Sequence, residues 1–411
     1  MSAAHAQRWG SGGRSAPGLG TETIAGHPAL SASACEIPHS GIREIFDLAL
    51  GRDDVLHLEV GEPDFATPAH IVDAAFAAAR SGSGYTATPG VLAVRAAAAA
   101  RVARVHGIDV DPSRMLVTQG GVQAISAVIA ACASPGDEVL IPDPGWPNYQ
   151  MMVASHGAVN VRYPLRASNG FLPDPDEVER LVGDRTKVVV VNTPANPTGA
   201  VLADADLERL VAIGRSAGAV VVSDEVYDEM VFDGRPPQTL VPIDPDWVVG
   251  VWSCSKTYAM TGWRVGYTAV PVAFVDPVTC VQESMISCVS SVTQAAALAA
   301  FEGPQDCVGV MRDAYQSRRD VLMGLLDDAG ISYVTPGGAF YLMMSLLPGA
   351  DARAAALDLV RNGVAVAPGT AFGDVASDAL RISLASSEAT IAAAAEKIVD
   401  WYARTDGGLS V

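Results

Sequence analysis

Residues 187–192 read KVVVVN, and residues 219–224 read AVVVSD. Valine is stiff at χ1 and packs well on a pleated surface. Neither run alternates apolar with polar residues, so each is apolar on both faces, which a strand inside a parallel sheet requires. Between them Asp204–Ser216 (DADLERLVAIGRS) has the helical period. Strand, helix and strand in this order make a βαβ unit. Working outward, Met115–Thr118, Glu138–Ile141, Val248–Ser253 and Val265–Val270 read as further strands. The alternation spans about 160 residues and predicts a large, doubly wound α/β domain with a mostly parallel sheet. Upstream, Ile42–Leu50, Ile71–Arg80 and Val91–Val105 read as helices, the last with an alanine run that favours helix. After about residue 300 the pattern changes to a long helical stretch ending near Ala329, short strands near Tyr333 and Phe340–Met344, then helices. That is a second, smaller α+β domain. Residues 1–38 are rich in Gly, Ser and Ala without periodicity and read as a flexible N-terminal arm.

Composition excludes several classes of function. The chain has 411 residues and a net charge of −19, which repels phosphate backbones and anionic lipid, so neither nucleic acid nor membrane is expected as a partner. Scattered cysteines (35, 132, 254, 280, 288, 307) form no C-x-x-C and no zinc spacing; reduced thiols in the cytoplasm and no metal site are expected. The N-terminus lacks an apolar signal-peptide core. G-x-S-x-G occurs at Gly214–Gly218, but it ends a helix and no histidine follows it, so a hydrolase elbow is not expected. Lysine is scarce: Lys187, Lys256 and Lys397 stand against 24 arginines. A lysine kept in such a chain asks whether an amine that can lose its proton is needed there.

Ligands of open α/β sheets bind beyond the carboxyl ends of the strands, and four strand ends here carry unusual residues. Gln119-Gly120-Gly121-Val122 joins a strand to a helix, either as a tight turn or as a phosphate-binding helix N-terminus. Asn192-Thr193-Pro194-Ala195-Asn196-Pro197-Thr198-Gly199 is a stiff loop that presents an amide. Asp224 ends an all-apolar strand, where it either caps a helix or needs a cation. Lys256 follows Ser253-Cys254-Ser255, with Arg264 eight residues on; it is either a surface lysine or a Schiff-base nucleophile. A single ligand with a phosphate, a cationic ring nitrogen and an aldehyde would use all four, and pyridoxal 5′-phosphate (PLP) has all three groups.

NTPANPTG, SDEVYDE, SCSKTYAMTGWRVGY and the late Arg381-Ile382-Ser383 segment after PGTAFG stand in order over residues 39–405. In these the chain resembles the class I/II aminotransferases, the aspartate aminotransferase-like members of fold type I of the PLP enzymes. The resemblance implies residues 63–299 as the large PLP-binding domain and 39–62 with 300–411 as the small domain. It implies Lys256 as the Schiff-base lysine and proton shuttle. Asp224 would pair with the pyridinium nitrogen, and Tyr227 and Asn196 would bond the ring O3′. The phosphate would lie on the Gly121 and Val122 N–H groups, Ser253 and Arg264, with Trp146 stacked on the ring. Arg381, with a backbone contact at Gly61, would clamp the substrate α-carboxylate. Tyr85 would reach the phosphate of a neighbouring subunit, which implies a homodimer with shared sites.

The expected activity is transfer of an amino group from an L-amino acid to a 2-oxo acid such as 2-oxoglutarate or pyruvate. Dicarboxylate-specific relatives carry a basic residue either where this chain has Val122 or, from the partner, near Ser287–Thr293. Its absence points to a neutral or aromatic donor, because an unpaired distal carboxylate is costly in an apolar pocket. The alternative is a PLP enzyme of another outcome, such as a C–S lyase or a biosynthetic cyclase or synthase. A transcription regulator would need a basic DNA-binding domain that residues 1–38 do not supply. Met343 and Met344 are expected in the core, Cys254 as a small filler, and Glu225 as a solvated or supporting carboxylate. His57 and His70 lack a second type of metal ligand.

Overall fold

The computed structural model describes residues 31–410. Most of the expected arm, residues 1–30, lies outside the described residues; within the remainder Ala32–Cys35 forms a short helix.

A seven-stranded sheet carries the strands 115–118, 266–269, 248–253, 220–224, 186–192, 138–143 and 159–164 in that spatial order. Only 266–269 runs antiparallel to its two neighbours. The valine runs do what their lack of alternation requires. Val189, Val191 and Val221 point into one core, while Val188, Val190, Val220 and Val222 point into the other. Helices cover both faces; Gly120–Cys132, for example, lays Ala124, Ile125 and Val128 against the second core. This is the α/β architecture expected.

Val159–Pro164 (VNVRYP) is a strand the sequence reading did not include. It is the sheet's edge, and most of its residues are only half-buried, so it lacks the unbroken buried run of the central strands. Residues 333–334, 341–345, 379–383 and 367–368 form a separate antiparallel sheet. Leu56–His57 pairs with Val364–Ala365, so the segment entering at residue 56 lies beside late strands of the chain. The long helix is Asp306–Asp328, and Gly303-Pro304 separate it from the helix Ser291–Glu302.

Register brings the unusual residues together. Asn192 lies opposite Asp224, and Asp224 opposite Val251, two residues before Ser253. The carboxyl ends of three adjacent parallel strands therefore open on one place.

Candidate active site

Lys256 sits on the single-turn helix Cys254–Thr257, whose N-cap is Ser253; the Ser253 hydroxyl accepts from the Ser255 N–H and donates to the Ser255 hydroxyl at 2.9 Å. Lys256 is half-buried; its ammonium donates to the Gly61 carbonyl and lies 5.6 Å from the Phe340 ring centroid. It has no carboxylate within ion-pair distance among the described residues. Burial lowers its pKa to about 8, only partly offset by the charge of Glu62. It is therefore an amine able to give up its proton near neutral pH.

Asp224, 2% exposed, accepts the Tyr149 hydroxyl at 2.5 Å and forms no ion pair among the described residues. Burial pushes its carboxyl up to about 6, with the Tyr149 hydrogen bond opposing. Asn192 organises the neighbouring loop: its amide donates to the Asp224 carbonyl at 2.8 Å and accepts the Asn196 N–H at 2.8 Å. The Tyr227 and Tyr341 hydroxyls meet at 2.9 Å, and burial raises the pKa of both.

At one end of the cavity the helix Gly120–Cys132 presents its first turn, where backbone N–H groups have no intrahelical acceptor. Gly120 has φ +79°, and a Cβ there would stand 2.9 Å from Arg264 Nη2. A Cβ on Gly121 would stand 2.9 Å from Val226. The glycine pair is thus what lets Arg264 and the helix terminus close on one point. Among the described residues the Arg264 guanidinium bonds only carbonyls, Thr261 at 2.6 Å and Gln119 at 3.5 Å.

At the other end is Arg381, 2% exposed. It donates to Asn196 Oδ1 at 2.9 Å and to the Glu59 carbonyl at 2.5 Å, and its Nε has no partner. Tyr341 and Phe372 stand 4.4 and 4.7 Å from the guanidinium carbon. Burial lowers its pKa. At Gly61 a Cβ would fall 1.8 Å from the Tyr341 hydroxyl, so no larger residue fits there.

These residues line a cavity of about 260 Å³, together with Trp146, Val122, Val60, Ile42 and Thr261. It gathers every expected site residue except Tyr85, which is 96% exposed and does not line it. Trp146 packs edge-on to Tyr149, 5.4 Å between centroids. Tyr149 and Tyr341 are functional-site residues that the sequence reading missed. Tyr149 had a signal, since it stands three residues after Trp146 in the first turn of the helix Asn148–Ser155; Tyr341 reads as an ordinary strand aromatic.

Of the two readings of Glu225, solvated or supporting, the structure removes the solvated one. It is fully buried and accepts from the Ser223 hydroxyl at 2.6 Å, the Thr239 hydroxyl at 3.0 Å and the Leu240 N–H at 3.1 Å; burial raises its carboxyl to about 7. Cys254 is buried with its thiol pushed up to about 12, which suits a filler. Met343 and Met344 are in the core. Lys397 is exposed, and Lys187 bonds the Asp184 carbonyl at the opposite, amino end of its strand.

PLP fits this donor set. Among the described residues a buried carboxylate lacks a cation, a half-buried amine lacks an anion, and an arginine beside a helix N-terminus has only carbonyl partners. Those are the complements of a pyridinium nitrogen, an aldehyde and a phosphate.

Comparison with known proteins agrees. The family model for aminotransferase class I and II matches residues 53–398. The aspartate/prephenate aminotransferase of Thermus thermophilus is 36% identical over 380 residues, 90% of this chain and 94% of that protein. Aromatic-amino-acid aminotransferase 2 of Thermococcus litoralis is 34% identical, covering 87% and 94%. The structure of Thermus thermophilus aspartate aminotransferase with maleate superposes with a TM-score of 0.87 at 34% identity, covering 91% of this chain and 100% of that one. This chain belongs to the class I and II aminotransferases, fold type I enzymes that are PLP-dependent transferases.

Proposed function

We propose that this aminotransferase holds PLP in the cavity described and moves an amino group from a neutral or aromatic L-amino acid to 2-oxoglutarate or pyruvate. The observation that carries the reading is that Asp224, Lys256, Arg264 and Arg381 line one cavity with no counter-ion among the described residues. Gly121 and Val122 N–H groups, Ser253 and Arg264 hold the phosphate. Asp224 holds the proton on the ring nitrogen, and Tyr227 and Asn196 bond the ring O3′. Trp146 packs on the ring face. PLP would supply an electron-accepting ring. Lys256, which also anchors the cofactor, takes the proton from the substrate Cα as general base. Arg381 binds the α-carboxylate in bidentate fashion, with Gly61 leaving room beside it.

The donor preference is supported by the lining. Ile42, Val60, Val122, Trp146 and Tyr341 are apolar or aromatic, and the basic side chains on the cavity are Lys256, Arg264 and Arg381, each already assigned. The relatives' names span aspartate and aromatic amino acids and do not choose between them. We infer the division into 39–62 with 300–411 and 63–299 from the two separate sheets and the pairing of Leu56–His57 with Val364–Ala365. Tyr85, with Phe76 and Leu92 also exposed, supports a homodimer in which Tyr85 serves the neighbouring site. Six unpaired cysteines suit the cytoplasm. No described helix is long and apolar enough to cross a membrane.

The test is a donor and acceptor screen on the purified protein, read by cofactor absorbance and ammonia release. Neutral or aromatic donors should turn over only with an oxo-acid acceptor. Aspartate as the best donor by a wide margin would overturn the preference; ammonia release without an acceptor would overturn transamination.

A further inference from the structure

Arg318 lies on the helix Asp306–Asp328, outside the cavity, with its side chain 9% exposed. Its Nη1 and Nη2 meet the two oxygens of Asp64 at 2.8 and 2.9 Å, and Nη1 also donates to the Leu384 carbonyl at 3.1 Å. Phe65 and Tyr315 flank the guanidinium at 5.3 and 5.5 Å, which limits its freedom. Asp64 is three residues after Gly61, and Leu384 is three residues after Arg381. One planar fork therefore fastens both segments that reach the substrate α-carboxylate.

The other ties run elsewhere. Ser383 N–H to the Leu58 carbonyl at 2.9 Å, and Arg381 to the Glu59 carbonyl, join the segments on the near side of Gly61. Beyond Gly61, Thr261 bonds Glu62 at 2.6 Å and Thr67 bonds the Ala259 carbonyl at 2.7 Å, holding that stretch to the Lys256 region. Among the described residues, Arg318 is the side chain that joins 62–67 to 381–385.

We propose that Arg318 is a positioning residue for substrate binding, setting the spacing between Gly61 and Arg381 and so the seat of the α-carboxylate. This rests on the assignment of those two residues to that carboxylate. Lysine cannot replace it, because a point ammonium cannot hold both Asp64 oxygens and a carbonyl in one plane.

Arg319 supplies the control. It is likewise tied, to Asp233 at 2.7 and 2.8 Å and to the Pro336 carbonyl at 3.2 Å, but neither of these residues stands within three positions of one that lines the cavity. The holoenzymes R318M, R318K, D64N and R319M are compared for KM, kcat, cofactor absorbance and thermal unfolding. R318M, R318K and D64N should raise KM for donor and oxo acid about tenfold, with smaller changes in kcat and an unchanged cofactor spectrum. R319M should lose comparable stability with KM unchanged. Should R318M fail to fold, D64N, at a more exposed position, still reads the same clamp. Unchanged KM in D64N and R318K, or an equal rise in R319M, overturns the proposal. R381L separates the two layers of the argument. If it leaves KM unchanged, the carboxylate assignment is what fails; if it raises KM while D64N and R318K do not, only the role of Arg318 fails.

Discussion

Two groups of buried charges sit side by side and behave in opposite ways. In the first, Arg101 bonds Asp228 at 2.7 and 3.1 Å and also bonds Glu229, while His106 reaches Asp228 at 3.1 Å. Burial, the largest single influence, would raise the Asp228 carboxyl, but Arg101 and His106 together outweigh it and hold the group well below the usual carboxylate range. In the second, Asp224 stands four residues earlier and Arg381 across the cavity, and among the described residues both have only neutral partners. Burial dominates there, raising Asp224 to about 6 and lowering Arg381. The first set is closed and ties the helix Leu92–His106 to the loop after Asp224. The second is open, and a buried charge without a partner is tolerated where a ligand brings one.

The sharpest way to break this comparison is to remove the amine of the open set. Lys256→Ala should lower kcat by about 10⁴-fold, the upper range for loss of a positioned base. Borohydride reduction of the wild-type holoenzyme should label the peptide containing Lys256, and a label on Lys187 or Lys397 would refute the site.

The two buried arginines give the next largest effect. Arg101→Met leaves Asp228 buried beside a half-satisfied network and should cost about 3–5 kcal/mol of stability. Arg381→Met removes a charge that lacks an anion, so the cofactor-free protein should be as stable as wild type or more so. Denaturant unfolding of both variants decides it, and equal losses would erase the distinction between closed and open sets.

How far the sequence alone reveals this distinction depends on the link. The valine runs at 188–191 and 220–222 announce buried parallel strands because nothing polar interrupts them. Lys256 stands out because lysine is scarce, and Asp224 because it ends an apolar run. The edge strand 159–164 escapes because its neighbours in space, not its residues, make it a strand. Tyr341 and Glu225 escape for a related reason. A tyrosine on a strand and a glutamate after one look ordinary until the fold buries them against Arg381 and Leu240. Likewise nothing in Arg101 or Arg381 as letters says which of them meets a carboxylate. Closure of a charge set is a tertiary fact.

Asp224 sharpens the comparison through pH. In the cofactor-free protein its folded pKa, about 6, lies above its unfolded value of about 3.9. The folded state then holds the proton more tightly, so the stability from this group is full below about pH 4 and lost as pH rises through about 6. The loss is on the order of 3 kcal/mol. Asp224→Asn carries no such term. The difference in unfolding free energy between variant and wild type should therefore move by about that amount in favour of the variant from pH 4 to pH 7. Glu225 titrates in both proteins and cancels. A difference independent of pH would mean that Asp224 is already paired, and the open set would lose its anion.

The smallest effect is at Tyr149, the sole side-chain hydrogen bond to that carboxylate among the described residues. Its hydroxyl stabilises the charged form of Asp224, the form that would meet a ring cation, so Tyr149→Phe should shift the carboxyl further upward. A hydrogen bond to a charged group contributes about 1.5 kcal/mol at the low end, which is roughly tenfold in affinity. Titrating PLP into cofactor-free Tyr149→Phe should show that weakening, greater toward acid pH where the carboxyl protonates first. Tyr163 provides the contrast, since its buried hydroxyl donates to the Val190 carbonyl at 2.8 Å, away from the open set. Tyr163→Phe should lower stability and leave PLP affinity unchanged. If both variants weaken PLP alike, the effect belongs to general packing of the sheet and not to the charge on Asp224.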